Sequence, residues 1–179
     1  MPVTPPTSAV LRPAGCFVSL HRRQGHALRG CIGRIDCASP LLEAMLNVAW
    51  GAAQDPRFAS QPITLTELPE LTIELSILGP LQPTADPLAF NPQADGIYLA
   101  MAGKAGVFLP QVARDTGWSR EQLLDRLTQE KLGLPPASWR QPNARVFTFA
   151  TDILGPVDFA VDANFSPHTP PPKNAVTVR

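Results

Sequence analysis

Leu28-Arg29-Gly30-Cys31-Ile32-Gly33 sets the reading of the chain: two glycines bracket a cysteine, and an arginine stands two residues before it. Glycine weakens a strand, so two of them here point to a bulge, a tight bend, or close approach of another backbone or a ligand. With period-two alternation, Arg29, Cys31 and Gly33 face one way and Leu28, Gly30 and Ile32 the other. Arg29 and Cys31 are then same-face neighbours, roughly 6 to 7 Å apart along the strand. A guanidinium beside a thiol favours the thiolate, the reactive form. The competing reading is a buried structural cysteine, because free cysteine is among the most buried residue types.

Upstream, Gly15 to His21 alternates as a strand, with Phe17, Ser19 and His21 on one face and Cys16, Val18 and Leu20 on the other. Arg22-Arg23-Gln24-Gly25 supplies a turn, and Ala27 to Ile35 returns as the second arm of a hairpin. His21 and His26 flank that turn and read as solvated turn residues rather than a base or metal ligands. Downstream, Ser39-Pro40 predicts a helix start, with a hydroxyl cap and proline at the first helical position. Leu42, Met45, Leu46, Ala49, Trp50 and Ala53 form the expected apolar stripe. The helix should end before Asp55-Pro56, since the residue before proline disfavours helix. In the following Arg57-Phe58, Asp55 is placed to hold Arg57 or accept turn amides, which makes a rigid lock. The alternative is that Arg57 reaches an anionic ligand near Cys31, being suited to bidentate carboxylate or phosphate contacts.

Thr64 to Pro69 reads as a connector with a helical turn, and Leu71 to Leu78 as a clear strand carrying Glu74 on its polar face. Gly79 to Asp95 is a proline-bearing loop able to divide two lobes. Gly96 to Met101, the turn Ala102 to Gly106, and Val107 to Leu109 form a second hairpin. Pro110-Gln111 follows that strand and precedes a short helix, and the Gln111 amide can orient a ligand or tie down backbone groups. Ser119 and Gln122 make a capping box before Leu123, Leu124 and Leu127, and Gly133 ends that helix. A strand from Arg145 to Thr151 closes the domain. Strands broken by helices, with two hairpins, predict an α+β fold with a mainly antiparallel sheet rather than a doubly wound parallel one.

The 179 residues suit one domain, with or without a small lobe. Fifteen basic and fifteen acidic residues cancel, which argues against nucleic-acid binding through a broad basic surface. No apolar run approaches the roughly 20 residues of a membrane span, and the N-terminus lacks the pattern of a secretory signal. Three cysteines without a CxxC pair fit a reducing cytoplasm, with a Cys31–Cys37 disulfide as a minor alternative. Prolines crowd both ends, so residues 1–14 read as a lead, 15–155 as the folded domain and 156–179 as a tail.

The chain also resembles the AMMECR family, the AmmeMemoRadiSam system protein A group. The resemblance rests on Leu28 to Gly33, then Asp55-Pro-Arg-Phe58, Ile73 to Leu78, Gly106 to Val112 and Gly133 to Trp139, in that order. It implies an antiparallel sheet flanked by helices, with a smaller second lobe. It also implies a helix before the first strand, where this sequence has only a proline-rich lead. The family has no firmly established reaction, so substrate and cofactor stay unknown. Its naming implies Memo-like and radical SAM partner proteins. Three functional classes follow. One is an enzyme using Cys31, tuned by Arg29, with Gly30 and Gly33 admitting a small molecule and Asp55, Arg57 and Gln111 as ligand-binding candidates. The others are a non-enzymatic adaptor and a nucleic-acid-binding regulator.

Overall fold

A computed structural model describes residues 8–35 and 38–159. The chain divides into two units, one built from the segment up to Ile77 together with that from Asp152, the other from Leu78–Thr151. Each has its own sheet and its own apolar core, so the α+β class expected from the sequence holds.

In the first unit, β1 (Cys16–Arg22) and β2 (Leu28–Arg34) form the expected hairpin, and β3 (Leu71–Leu78) lies on the other side of β1. The last strand, β8 (Thr151–Asp158), completes a sheet of order β2-β1-β3-β8. The sequence reading runs one strand from Arg145 to Thr151 and begins a proline-rich tail at residue 156. In the structure that strand ends at Phe149, and β8 continues through Gly155-Pro156, a place where proline is tolerated at a sheet edge. β8 occupies such an edge.

Helix α1 (Leu41–Ala53) packs on one face of this sheet. It starts one residue later than expected. Pro40 is the cap, in an extended conformation, and Ser39 does not cap. The Leu41 N–H donates instead to the Arg12 carbonyl at 3.0 Å, and Pro13 bridges to Pro40. The buried stripe is also rotated. Leu41, Ala44, Val48 and Ala52 face the sheet, while Leu42, Leu46 and Trp50 are exposed. Only Glu43 and Asn47 interrupt the apolar character of α1, so periodicity could not single out a face. Close approach to the sheet favoured the small side chains. The Ala52 carbonyl lies where a Cβ on Gly30 would be, so the strand meets the helix end only because residue 30 is glycine.

The second unit holds a sheet of order β4-β7-β5-β6, from β4 (Gln82–Pro83), β5 (Gly96–Met101), β6 (Lys104–Phe108) and β7 (Arg145–Phe149). The β5–β6 turn is tighter than expected: only Ala102 and Gly103 lie between the strands, both with positive φ, as a two-residue hairpin turn demands. Helix α2 (Pro110–Thr116) is followed by α3 (Arg120–Leu127), which has the predicted Ser119–Gln122 capping box. A π-helical turn, Thr128–Leu132, extends α3 to the left-handed Gly133. Leu123, Leu124 and Leu127 pack with Ile97, Leu99 and Trp139 in this unit's core. Among the described residues no helix is long and apolar enough to cross a membrane.

Candidate functional site

The hairpin register decides which way Cys31 points. Near the turn His21 pairs with Leu28, but Leu20 pairs with Gly30 and Ser19 with Cys31. One residue of β2, Arg29, is therefore extra, and the ladder bulges there. Leu28 and Cys31 share the face of Ser19 and His21, while Gly30 and Ile32 turn toward α1 with Leu20 and Val18. Unbroken alternation, which would make Arg29 and Cys31 same-face neighbours, does not survive this bulge.

β2 is an edge strand, and an edge leaves backbone groups unpaired. At Cys31 the turn after α1 fills that gap. The Cys31 N–H donates to Asp55 Oδ2 at 2.9 Å, and the Cys31 carbonyl accepts from Arg57 Nη2 at 3.2 Å. Asp55 and Arg57 grip the Cys31 peptide as a neighbouring strand would. Asp55 also caps its own 3-10 turn, Pro56–Phe58, by accepting the Arg57 N–H at 3.0 Å, and it pairs with the Arg57 guanidinium at 2.6 Å. Because the Cys31 peptide groups point outward, Ser19–Cys31 is a non-hydrogen-bonded pair, whose side chains lie closest. Accordingly the Ser19 hydroxyl donates to Cys31 Sγ at 3.2 Å.

Arg29 serves elsewhere. Its guanidinium donates from Nε to Glu67 Oε1 at 2.6 Å and from Nη2 to Glu67 Oε2 at 2.9 Å and to the Gln61 carbonyl at 3.0 Å. It also lies over the Phe58 ring, and Arg22 adds a second contact to Glu67 at 3.2 Å. The arginine beside the Cys31 peptide is thus Arg57, whose side chain is 57% exposed while its Asp55 partner is 1% exposed.

The electrostatics follow from these contacts. Burial alone would raise the Asp55 carboxyl, but hydrogen bonds from Arg57 and from the Cys31 amide hold it below the usual carboxylate range. The Asp55 hydrogen bond raises the Arg57 pKa against burial, with further contributions from the charge of Asp55 and of the Cys31 sulfur. Hydrogen bonds from Arg29 hold the Glu67 carboxyl low. Cys16, sealed in the core, is the contrast: burial pushes its thiol up to about 11, so it is an inert structural cysteine. Cys31 is only partly buried.

Of the remaining candidates, Gly30 and Gly33 both sit in β2 where a Cβ would overlap a neighbour, the Ala52 carbonyl and the Phe17 ring respectively. Their immediate work is packing. Gln111 lies on α2, in the second unit. Cys37 falls outside the described residues, as does the disulfide considered for it. Among the described residues no three His, Cys, Asp or Glu side chains group as a metal site would. Sequence reasoning passed over Ser19, whose link to Cys31 exists only because of the bulge, and Glu67, which lies in a connector without a motif.

A family model described as AMMECR1 matches residues 2–154. A protein of Thermococcus gammatolerans is 39% identical over 149 residues, covering 78% of this chain and 71% of that protein. Protein MJ0810 of Methanocaldococcus jannaschii is 36% identical over 151 residues, covering 80% and 74%. The crystal structure of the uncharacterised protein PH0010 from Pyrococcus horikoshii superposes with a TM-score of 0.76 at 33% identity, covering 86% of this chain and 78% of that one.

Proposed function

The chain belongs to the AMMECR1 family, and from that premise we propose that Cys31 is its reactive group, acting on a small substrate that carries an anionic substituent. One observation carries the reading: a partly exposed cysteine whose sulfur accepts a hydrogen bond has a half-exposed arginine fastened to its own peptide. Arg57 brings cationic charge to the thiol and offers the rest of its guanidinium fork to a carboxylate or phosphate. Asp55 fixes Arg57 rather than neutralising a distant charge, since its carboxylate is buried and spent on four N–H groups of this turn and strand. The Gly30 and Gly33 positions keep the strand close to its neighbours. Arg29 braces the bulge that turns Cys31 outward. The protein would act in the cytoplasm, in a modification pathway with Memo-like and radical SAM proteins.

The test compares two alkylating probes of similar size, anionic iodoacetate and neutral iodoacetamide, with labelling assigned to Cys31 by peptide mass spectrometry on the full chain. In either reaction the Cys31 thiol first loses its proton to solvent. Its sulfur then forms the bond to the CH2 carbon as iodide leaves with the electron pair. The expected result is labelling of the folded protein, with a higher iodoacetate-to-iodoacetamide rate ratio than a free cysteine peptide shows. Arg57→Gln should lower that ratio severalfold. No labelling of Cys31 until the chain unfolds would overturn the reading.

A second reading is a non-enzymatic adaptor for the same partner classes, favoured by the exposed Leu42, Leu46 and Trp50 of α1. Substitution of Leu46 and Trp50 by Gln, followed by co-purification with the partner proteins, separates the two: loss of association with Cys31 labelling intact supports the adaptor.

A further inference from the structure

We propose that Ser19 is the positioning residue of Cys31, its hydroxyl holding the sulfur as an anion on the sheet face opposite α1. This rests on the reading of Cys31 as a reactive group and adds the residue that prepares it.

The bulge at Arg29 places Ser19 and Cys31 in a non-hydrogen-bonded cross-strand pair, where side chains approach most closely. A serine hydroxyl has one proton to give. Glu74 lies opposite Ser19 on β3, on the same face of the sheet, and a carboxylate there is an alternative acceptor for that proton. The geometry sends it to Cys31 Sγ, at 3.2 Å. A neutral thiol can supply its own donor, whereas a thiolate can only accept, so a donating hydroxyl selects the anion. Ladders on both sides fix the Ser19 backbone opposite Cys31.

A separate observation marks the same face as one that receives a ligand. Thr72, paired with His21 in the next row of the sheet, is 7% exposed, and its hydroxyl is buried with no hydrogen-bond partner among the described residues. A hydroxyl kept in that state costs stability unless something else meets it. The face thus presents a prepared sulfur and, one row along, a hydroxyl awaiting a polar group.

Other groups bear on the charge of Cys31. Arg57 on the edge turn favours the anion. Asp55 behind it and Glu74 across Ser19 oppose it, and His21 lies two residues along β1 on the same face. The experiment leaves all four in place. Ser19→Thr and Ser19→Val have nearly the same shape, both suit a strand, and differ in the hydroxyl. The rate of iodoacetamide labelling at Cys31, resolved by mass spectrometry, is measured against pH in both variants and in the parent.

The threonine variant should keep the parent profile. The valine variant should label about tenfold more slowly at pH 7, the weight of one hydrogen bond to a charged group, yet match the parent at high pH, where every thiol is ionised. A merely structural role would change both limbs of the profile or neither. Identical profiles for threonine and valine overturn the role of Ser19 while leaving Cys31 reactive. Failure of the parent itself to label overturns the reactive-cysteine reading and this inference with it. Should the valine variant not fold, Ser19→Ala is the second hydroxyl-free variant and is judged by the same two limbs.

Discussion

Replacing Asp55 with asparagine tests the grip on the β2 edge with almost no change of shape. In the parent, one carboxylate accepts the Cys31 N–H, the Arg57 N–H and the Arg57 guanidinium. Asparagine has a single acceptor oxygen and a donating NH2 group, so it can meet one of the two backbone N–H groups while facing the other with a donor. A hydrogen bond to a charged group contributes about 1.5–3 kcal/mol, and an orphaned buried N–H costs about 1–3. The guanidinium part of the pair adds little, because the Arg57 side chain is 57% exposed and its charge is screened. The hydrogen-bond and orphan figures describe the same broken bond and overlap, so the local destabilisation is about 3 kcal/mol. Hydrogen exchange reads it directly: opening free energies for amides of β2 should fall by that amount at pH 7, with those of β5 and β6 in the second unit unchanged. The pH dependence has a defined sign. The folded Asp55 pKa is depressed, so its contribution is complete above the unfolded value of about 3.9 and is lost as pH falls through the lower folded value. The gap between parent and Asp55→Asn should therefore be constant from pH 5 to 8 and close in acid. Glu67 titrates in the same direction but is present in both proteins, so it cancels in the difference. A loss below about 1 kcal/mol, the range of an exposed ion pair, would refute the reasoning.

Glu67→Gln should destabilise the first unit by about 3–5 kcal/mol in urea unfolding, because it strands the Arg29 charge at 5% exposure. Arg29→Met combined with Glu67→Gln should cost less than Glu67→Gln alone, and an additive pair would contradict this. Gly30→Ala pushes a methyl into a backbone carbonyl that cannot step aside, so it should cost about 1–3 kcal/mol or more and shift the thermal midpoint down. Gly33→Ala meets a side chain, the Phe17 ring, so Phe17→Leu should recover part of the loss. A double-mutant cycle with no coupling would show that the overlap is relieved another way.

How far the sequence could be read turns on a few residues. Motifs that carry their own geometry were legible: the Ser119–Gln122 capping box, the Leu71–Leu78 strand and the α1 stop before Asp55-Pro56 stand where local chemistry put them. The facing side of α1 was not, because a helix apolar nearly all round carries no phase information. The direction of Cys31 was the deepest omission. Counted outward from His21–Leu28 without a bulge, Cys31 would pair with Val18 and point into the α1 core, as an inert cysteine like Cys16 does. One extra residue, Arg29, reverses that, since a slip of one in a strand exchanges its faces. Nothing in the period-two pattern marks the slip. What stabilises it is distant in sequence: Glu67 and the Gln61 carbonyl hold the bulged arginine, and Asp55 with Arg57 holds the edge two residues on. The arginine beside the cysteine in sequence therefore acts on it through register rather than charge. If so, shortening β2 by deleting Arg29 should send Cys31 inward and abolish its labelling in any chain that still folds, whereas neutralising Arg29 together with Glu67 should leave the labelled face unchanged.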